Sequence, residues 1–448
     1  FPPPPPRPPY LAKLVHSSHR VCACVQVTFP PSTKMGANCV ASASIGVLWC
    51  CKGCNAEKLR TAFTFVPPSS TYAIEDKQDG PGAGSSSAED SQREKRTCHR
   101  IVYRLRTLAN SEVYRRAAES AEVHFVRNKS GNKLPLVWVK TSPHRRPGSE
   151  EKEEVPEDER IVLLHCHGNA ADIGMMMGSY YEMSKVLGIQ VLGAEYSGYG
   201  TAEGKPSAGS TQEDIEAAYD FLIASGVSPN RIVVYGQSVG TGPASRVAAS
   251  REVRGLVLHS AMLSGIKVID PLPNKTCRPS CVWRCFDFYP TDQNIKKVQS
   301  PTLVMHGQQD DIIPFYHGYR LHKAVPKEHR WPPYFPEGGG HNDLVEMDMH
   351  GYFSTLDTFL TALRKNTAEA TIEKYILSSI PPQEASMSEG PRERLVQEGG
   401  DSSAVEMAIT NPQDAERAEN WHAPEPRVGP DDGRYDKLRG GPAAPSSK

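Results

Sequence analysis

The stretch that most constrains this chain is residues 232–240, IVVYGQSVG. A short apolar run typical of a buried strand ends in Gly-Gln-Ser-Val-Gly, and a segment of small residues typical of a helix follows. A sharp turn from strand to helix lifts its serine into an exposed, strained position. Glycines two residues to either side are needed there, because a Cβ would collide with the neighbouring strand or helix. Ser238 is therefore the candidate nucleophile.

The middle of the chain alternates strand-like and helix-length segments. Continuous apolar runs lie at 161–164, 190–194, 232–235, 256–258 and 302–305, and a helical pattern lies at 211–224. Such an alternation indicates a mostly parallel sheet that is buried on both faces. Two further runs, 123–126 and 134–139, alternate around a polar turn and predict an antiparallel hairpin on the N-terminal side. The predicted fold is α/β, with helices on both faces of the sheet and a small variable cap.

Hydrolysis by a serine needs a base that takes its proton and an acid that orients the base. In a sheet of this kind, these residues follow the strands in the order Ser, Asp, His. Asp310 lies directly after the run 302–305, and Asp311 is the neighbouring alternative. His341 lies in EGGGHNDL, where three glycines let a loop approach the serine. The predicted catalytic residues are therefore Ser238, Asp310 and His341.

The negative charge that develops on the reacting oxygen needs backbone N–H donors. One donor is expected from Val239, directly after the serine. The second is expected from the loop after the run 161–164, where Gly168 permits a tight turn. Either Asn169 or Ala170 could supply that donor, and the pattern does not choose between them.

Other residues near these loops have less specific interpretations. His167 could act as a base, but a structural role in its turn is favoured, and Cys166 fits buried packing better than nucleophilic attack. Tyr196 and Tyr199 are interpreted as a wall of the site. The three methionines at 175–177 could line an acyl groove or belong to an ordinary helix core.

Composition separates a folded centre from atypical ends. The predicted parts are a disordered or mis-annotated leader at 1–34, a Cys-rich membrane-anchoring segment at 35–72, a flexible linker at 73–99, a folded domain at 100–365 and a mostly disordered tail at 366–448. Inside the domain we expect a charged loop insertion at 143–159 and a cap region at 264–298. Three cysteines of the cap lack a fourth ligand for zinc and favour a variable lid: Cys277, Cys281 and Cys285.

The N-terminal cysteines are candidate acylation sites: Cys39, Cys50, Cys51 and Cys54. They lie beside an apolar run of about a dozen residues, which is too short to cross a bilayer. Two or more fatty chains hold a protein on a membrane, whereas one chain is marginal. A zinc site and a featureless tail are the alternatives. The suspected start residue is Met35, because the chain opens with Phe1 and a polyproline run.

The overall charge and the cysteine content argue against a nucleic-acid-binding protein and against a disulfide-rich protein. With 51 Lys and Arg against 52 Asp and Glu, no basic excess indicates a nucleic-acid partner. Eleven scattered cysteines, an odd number, fit a reduced compartment better than a disulfide framework. No cofactor and no metal is predicted.

Seven short motifs resemble the alpha/beta hydrolase superfamily and, more narrowly, the alpha/beta hydrolase domain-containing protein 17 family of membrane-anchored depalmitoylases. They are HGNAADIG at 167–174, YSGYG at 196–200, YGQSVGT at 235–241, LHS at 258–260, CFDFYP at 285–290, MHGQQDDII at 305–313 and GGHNDL at 339–344. The leader KLRTAFTFVPPSSTY at 58–72 is similar to that family's acylated leader. The chain departs from the family in its insertions, its long tail and Glu195, where the family usually has Asp.

The resemblance implies a serine hydrolase that removes S-palmitoyl groups from membrane-associated proteins through an acyl-enzyme. It places the family's catalytic residues on Ser238, Asp310 and His341, and it implies attachment to the cytoplasmic face of membranes through acylated cysteines. A carboxylesterase or lysophospholipase that acts on lipid esters is one alternative. A non-catalytic scaffold that keeps the hydrolase fold for binding is the other.

Overall fold

The computed structural model describes residues 64–76, 99–140, 160–269 and 287–378. Nine strands run over these ranges: β1 Tyr72–Asp76, β2 His99–Tyr103, β3 Ala121–Arg127, β4 Lys133–Val139, β5 Val162–Cys166, β6 Gln190–Ala194, β7 Ile232–Gln237, β8 Gly255–His259 and β9 Thr302–Met305. The α-helices of the same ranges are α1 Arg106–Ala109, α2 Glu112–Ser120, α3 Ile173–Leu187, α4 Ala208–Ala224, α5 Thr241–Ser250, α6 Thr291–Asn294, α7 Tyr316–Ala324, α8 Leu344–Met347, α9 Met349–Arg364 and α10 Ala368–Ser378.

Seven of the strands form one sheet in the order β3-β4-β6-β5-β7-β8-β9. β4 pairs antiparallel with both β3 and β6, and the other neighbours pair parallel. The predicted hairpin and the predicted parallel strands are thereby confirmed. Because the parallel strands all end at one edge, the loops that follow β5, β7 and β9 meet there.

The sheet is buried on both faces because successive side chains of a strand point to opposite sides. In β5, Val162 and Leu164 belong to one apolar core with helices α4, α5 and α7. Leu163 belongs to the other core, with α3 and α9. A strand that must fill both cores carries apolar residues at every position, which is the continuous pattern seen in the sequence. The predicted helices on both faces are therefore confirmed.

Three predicted boundaries are wrong. The linker at 73–99 is replaced at both ends by strands, since β1 and β2 form an antiparallel pair that extends from Tyr72 opposite Tyr103 to Asp76 opposite His99. The end of the Cys-rich segment, residues 64–72, packs on the folded domain, with Phe65 in one core and Tyr72 in the other. The folded domain extends beyond its predicted end at Lys365, because Ala368 and Ile372 of α10 are buried in the core that contains α9.

Several predictions lie outside the described residues. These are the leader at 1–34, the four N-terminal cysteines, the insertion at 143–159, the three cap cysteines and the chain beyond 378. The cap region at 264–298 is described only at 264–269 and 287–298. Within the described ranges, no helix combines the length and the apolar character that a bilayer crossing requires.

Candidate active site

The backbone turns sharply at Ser238, between β7 and α5. Ser238 has φ of 52°, a left-handed conformation that a residue with a side chain rarely adopts. A Cβ on Gly236 would lie 2.7 Å from the Ala244 Cβ, and a Cβ on Gly240 would overlap the carbonyl of Cys166 in β5. The helix therefore approaches the strands closely only because both flanking positions are glycine. This is the strand-to-helix turn that the sequence predicts.

Replacing Gly240 with alanine is expected to destabilise the fold by about 3 kcal/mol or more, because the new methyl group overlaps backbone rather than a side chain that can rotate away. Thermal or urea unfolding of the purified chain measures this. Gly209→Ala is the matched control, since Gly209 is at an exposed position of α4 and a Cβ there meets only the Ser207 hydroxyl at 3.8 Å. The control should be neutral or stabilising by up to about 1 kcal/mol. Equal stability of the two variants would contradict the close approach.

Ser238, His341 and Asp310 form a continuous hydrogen-bonded chain. The Ser238 Oγ lies 2.9 Å from the His341 Nε2, and the His341 Nδ1 lies 2.7 Å from the Asp310 Oδ2. An ionised carboxylate only accepts hydrogen bonds, so the proton of a neutral imidazole is on Nδ1 and donates to Asp310. The Nε2 lone pair then faces the serine hydroxyl and accepts from it. The imidazole is thus oriented to take the serine proton.

Asp310 is fixed on its other side by the loop that follows β9. Its Oδ1 accepts the backbone N–H of Ile312 at 2.9 Å and of Ile313 at 2.7 Å. Its Oδ2 also lies 3.2 Å from the His306 Nε2. Burial by itself raises the pKa of Asp310, but the hydrogen bonds and charges of His306 and His341 outweigh it, and the pKa is held well below its usual range. The carboxylate therefore stays ionised at neutral pH.

The position of Asp310 answers the question that the sequence left open between two adjacent aspartates. Asp311 is exposed, whereas the Asp310 side chain is fully buried and contacts the imidazole. The contact between His306 and Asp310 depends on the fold of the loop, and a histidine directly after a strand gives no separate signal of it in the sequence.

The loop that carries His341 is held against the Asp310 loop by backbone contacts. The Gln309 N–H donates to the Gly339 carbonyl at 2.8 Å. The Ser260 hydroxyl, which follows β8, donates to the His341 carbonyl at 3.2 Å. The loops that follow β8 and β9 therefore hold the loop of His341 in place. Gly307 and Gly339 allow the close contact, since a Cβ on Gly307 would overlap the Gly339 carbonyl oxygen.

The loop after β5 lies beside the serine. A Cβ on Gly168 would be 3.9 Å from the Ser238 Cβ. The Asn169 side chain is turned toward residues 64–66 and toward Tyr199, and Ala170 is exposed. Val239 opens the first turn after the serine, where backbone N–H groups lack helical partners. The oxyanion donors Val239, Asn169 and Ala170 remain predictions. Val239 directly follows Ser238, and Asn169 and Ala170 directly follow Gly168 in the chain.

Comparison with known proteins identifies the family. The chain is 33% identical to alpha/beta hydrolase domain-containing protein 17C of Xenopus tropicalis over 298 residues, which cover 66% of this chain and 87% of that protein. It is 30% identical to the human protein 17B of the same name over 316 residues, which cover 70% of this chain and 94% of that protein. The chain belongs to the alpha/beta hydrolase domain-containing protein 17 family. By family it is a hydrolase.

The comparisons with solved structures and with family models do not extend this family assignment. An esterase from Pyrococcus furiosus is similar in structure with a TM-score of 0.40 and 17% identity, over 55% of this chain and 93% of the esterase. No family model matches the chain.

In this member of the protein 17 family, the second histidine near the serine is part of the scaffold. The His167 Nε2 lies 3.0 Å from the Glu195 Oε1, and its Nδ1 lies 2.9 Å from the Gly168 carbonyl oxygen. Glu195 is fully buried and also accepts from the Tyr72 hydroxyl at 2.9 Å and the Ile173 N–H at 3.0 Å. His167 is therefore engaged away from the serine, in agreement with its structural interpretation.

The remaining side chains near the loop have structural contacts too. Cys166 is buried, and burial raises the pKa of its thiol, so it is not a reactive thiolate. The hydroxyl of Tyr196 donates to the His167 carbonyl at 2.8 Å, and that of Tyr199 donates to the Asn169 Oδ1 at 2.7 Å. Met177 lies in the core beneath α3 while Met175 is exposed, which favours helix core over an acyl groove.

The described ranges contain no group of three or more His, Cys, Asp or Glu side chains arranged to hold a metal ion. The arrangement at the edge of the sheet is a serine, an imidazole and a buried carboxylate. A nucleophile, a base and an acid that orients the base are the side chains that acyl transfer by a serine requires.

Proposed function

We propose that this chain is a serine hydrolase that removes S-palmitoyl or similar long acyl groups from membrane-associated proteins. The observation that carries the proposal is the hydrogen-bonded chain from the Ser238 Oγ through His341 to Asp310, on a strand-to-helix turn with left-handed backbone at the serine. Family membership and the Cys-rich leader support the choice of substrate class.

In the first half of the proposed reaction, the His341 Nε2 takes the proton of the Ser238 hydroxyl as the Oγ attacks the thioester carbonyl carbon. The carbonyl electrons move to the oxygen, and backbone N–H groups near Val239 and the loop after β5 stabilise that charge. The tetrahedral intermediate collapses, the carbon–sulfur bond breaks, and the imidazolium returns its proton to the departing cysteine sulfur. The acyl group is left as an ester of the serine.

In the second half, His341 takes a proton from water, which attacks the acyl ester. The ester bond to the Ser238 Oγ breaks, the proton returns to that oxygen, and the fatty acid leaves. Asp310 remains ionised throughout and stabilises the imidazolium in both halves. A thiolate is a good leaving group, so expelling it asks less of the imidazolium than expelling an amine would.

The proposal includes attachment to membranes through the Cys-rich segment at 35–72. We expect acylation among Cys39, Cys50, Cys51 and Cys54 to hold the enzyme on the cytoplasmic face of membranes. Confinement to the surface that carries the substrates raises their effective concentration. The partners are then S-acylated proteins and the bilayer itself.

Replacing Cys50, Cys51 and Cys54 together with serine is expected to move the chain from the membrane fraction to the supernatant, because one remaining fatty chain binds a bilayer only marginally. Cell fractionation with metabolic labelling by an alkynyl fatty acid measures both localisation and acylation. The matched control, in the chain expressed from Phe1, is Cys22 and Cys24 to serine, which should leave localisation and acylation unchanged. If the triple variant stays on membranes and keeps its label, the proposed anchor is wrong.

The substrate class is tested with the purified full chain. Turnover of a palmitoyl-cysteine peptide is compared with turnover of a lysophospholipid and of a simple carboxylic ester of the same chain length. A kcat/KM at least tenfold higher for the thioester supports depalmitoylation. Faster turnover of the lysolipid or the ester would support the lipid esterase instead. No turnover and no labelling of Ser238 by a fluorophosphonate would support a non-catalytic scaffold.

A further inference from the structure

The C-terminal end of the Cys-rich segment, where the chain enters the folded domain, is attached to the loop beside the serine. We call residues 64–72 the strap. The Val66 backbone N–H donates to the Asn169 Oδ1 at 3.0 Å, and the Asn169 Nδ2 donates to the Thr64 carbonyl. The strap thus contacts both the donor and the acceptor of one side chain, 103 positions away from Val66 in the sequence.

The strap is attached at further points along the same loop. The Thr71 N–H donates to the Asp172 carboxylate at 2.7 Å, and Asp172 in turn caps α3 by accepting the Met175 N–H. The Tyr72 hydroxyl reaches Glu195, which also contacts His167. The strap therefore spans the whole loop from its first residues to the helix that follows.

The strap also has an apolar attachment. The Phe65 ring is only 7% exposed and lies edge-on to Tyr289, within the core that contains α5. The Val66 side chain between these contacts is 60% exposed, so Val66 contributes mainly its backbone N–H. The segment is thus held by one buried ring and by polar contacts aimed at the loop.

We propose that the strap is a positioning element of the active site, which fixes Asn169 and with it the backbone N–H groups that receive the oxyanion. This inference rests on the proposed function, because it concerns a charge that develops only when Ser238 attacks. The Asn169 amide is held on both its ends, with Tyr199 as a second donor to its Oδ1. Rotation of the side chain and of the adjoining peptide planes is therefore restricted before the substrate arrives.

The expected size of the effect follows from preorganisation. Donors aimed at a developing charge lower the barrier only when they are in place, and loss of one such donor costs about 10²–10³ in rate. Displacement of a site by about 1 Å costs on the order of 10²-fold. A loosened strap should therefore slow acyl transfer by tenfold or more without weakening substrate binding.

The test removes one backbone hydrogen-bond donor from the strap. Val66→Pro deletes the N–H that Asn169 accepts, and Val66→Ala keeps it while trimming an exposed side chain. The full chain is treated with a fluorophosphonate, which we expect to react with Ser238 whatever the natural substrate is. The maximal labelling rate of Val66→Pro should fall at least tenfold, with the half-saturating concentration within about threefold of wild type. Val66→Ala should match wild type in both.

A second variant covers the case in which Val66→Pro does not fold. Phe65→Ala keeps every backbone donor but removes the ring that holds the strap in the core, and it should also lower the maximal labelling rate. Cooperative thermal unfolding establishes that each variant is folded. If neither variant folds, the strap is required for folding instead, and the positioning role is overturned.

The outcomes separate this inference from the proposed function. If wild type is labelled and the maximal labelling rate of Val66→Pro is within threefold of that of Val66→Ala, the positioning role of the strap is overturned. The proposed function is then unaffected. A change confined to the half-saturating concentration also overturns it, because substrate access would then be the property affected. A wild type that is never labelled at Ser238 overturns the proposed function, and the positioning role with it.

Discussion

Ser238→Ala is expected to lower kcat for a palmitoyl thioester by about 10⁴-fold or more, because it removes the oxygen that forms the acyl-enzyme. The His341 imidazole and the Asp310 carboxylate remain but have no nucleophile to activate. Release of the free thiol from a palmitoyl-cysteine peptide, followed with a thiol reagent, measures the loss. Labelling of the chain by a fluorophosphonate should disappear in the same variant.

The control for this variant is Ser250→Ala, at the exposed end of the helix that begins after the serine turn. It should keep wild-type turnover and labelling. Both alanine variants should unfold at temperatures close to that of wild type, since neither adds an overlapping atom. Retained turnover in Ser238→Ala would mean that another residue carries the reaction.

Asp310→Asn is expected to produce the second largest effect, a fall in kcat of about 10⁴-fold with the fold intact. An amide of the same shape can turn its NH₂ toward the imidazole, which favours the tautomer with the proton on Nε2. His341 would then face the serine with a donor instead of an acceptor. Steady-state kinetics with the same thioester measure the loss, and Asp311→Asn, on an exposed side chain, is the control. Turnover of Asp310→Asn close to that of Asp311→Asn would contradict the assigned role.

The same variant should change how stability depends on pH. The pKa of Asp310 is lower in the folded chain than the roughly 3.9 of an unfolded aspartate, so its ionised form stabilises the fold at pH above that value. This contribution is lost as the pH falls below about 4 toward the lowered pKa. The free energy of unfolding, measured with urea at pH 7 and at pH 3.5, should therefore differ less in Asp310→Asn than in wild type. An equal difference in both proteins would show that Asp310 is not the group responsible.

The sheet and the three catalytic candidates were predictable because their signals are local or follow the order of the chain. A strand buried on both sides needs apolar residues at each position, as in 302–305, and the turn at Ser238 needs glycine at 236 and 240. Asp310 follows β9, and His341 follows an extended segment that makes single bridges to β9 at Arg330 and Tyr334. Only the choice between Asp310 and Asp311 needed coordinates, because adjacent residues of a loop differ in burial for reasons that lie elsewhere in the fold.

The strap and the β1–β2 pair were not predictable from these signals. β1 (YAIED) and β2 (HRIVY) are only partly buried and carry charged or polar residues, so they lack the continuous apolar run of the central strands. The strap contacts its loop mainly through backbone groups, which every sequence has. Phe65 and Tyr72 were the available sign, since two large aromatic residues in a supposed leader need somewhere to be buried. The role of Glu195 was also not predictable, because the groups that it contacts come from distant parts of the chain.

The attachment of Thr64 beside Asn169 limits how far the catalytic centre can stand from any lipid carried by Cys54. Only ten residues separate these positions, and a fully extended chain of that length reaches roughly 35 Å. So short a connection would limit the distance from the bilayer at which the enzyme can act. Thioesters near the bilayer would be within reach of the active site, while thioesters on a domain that extends far from the membrane would not, whatever their sequence.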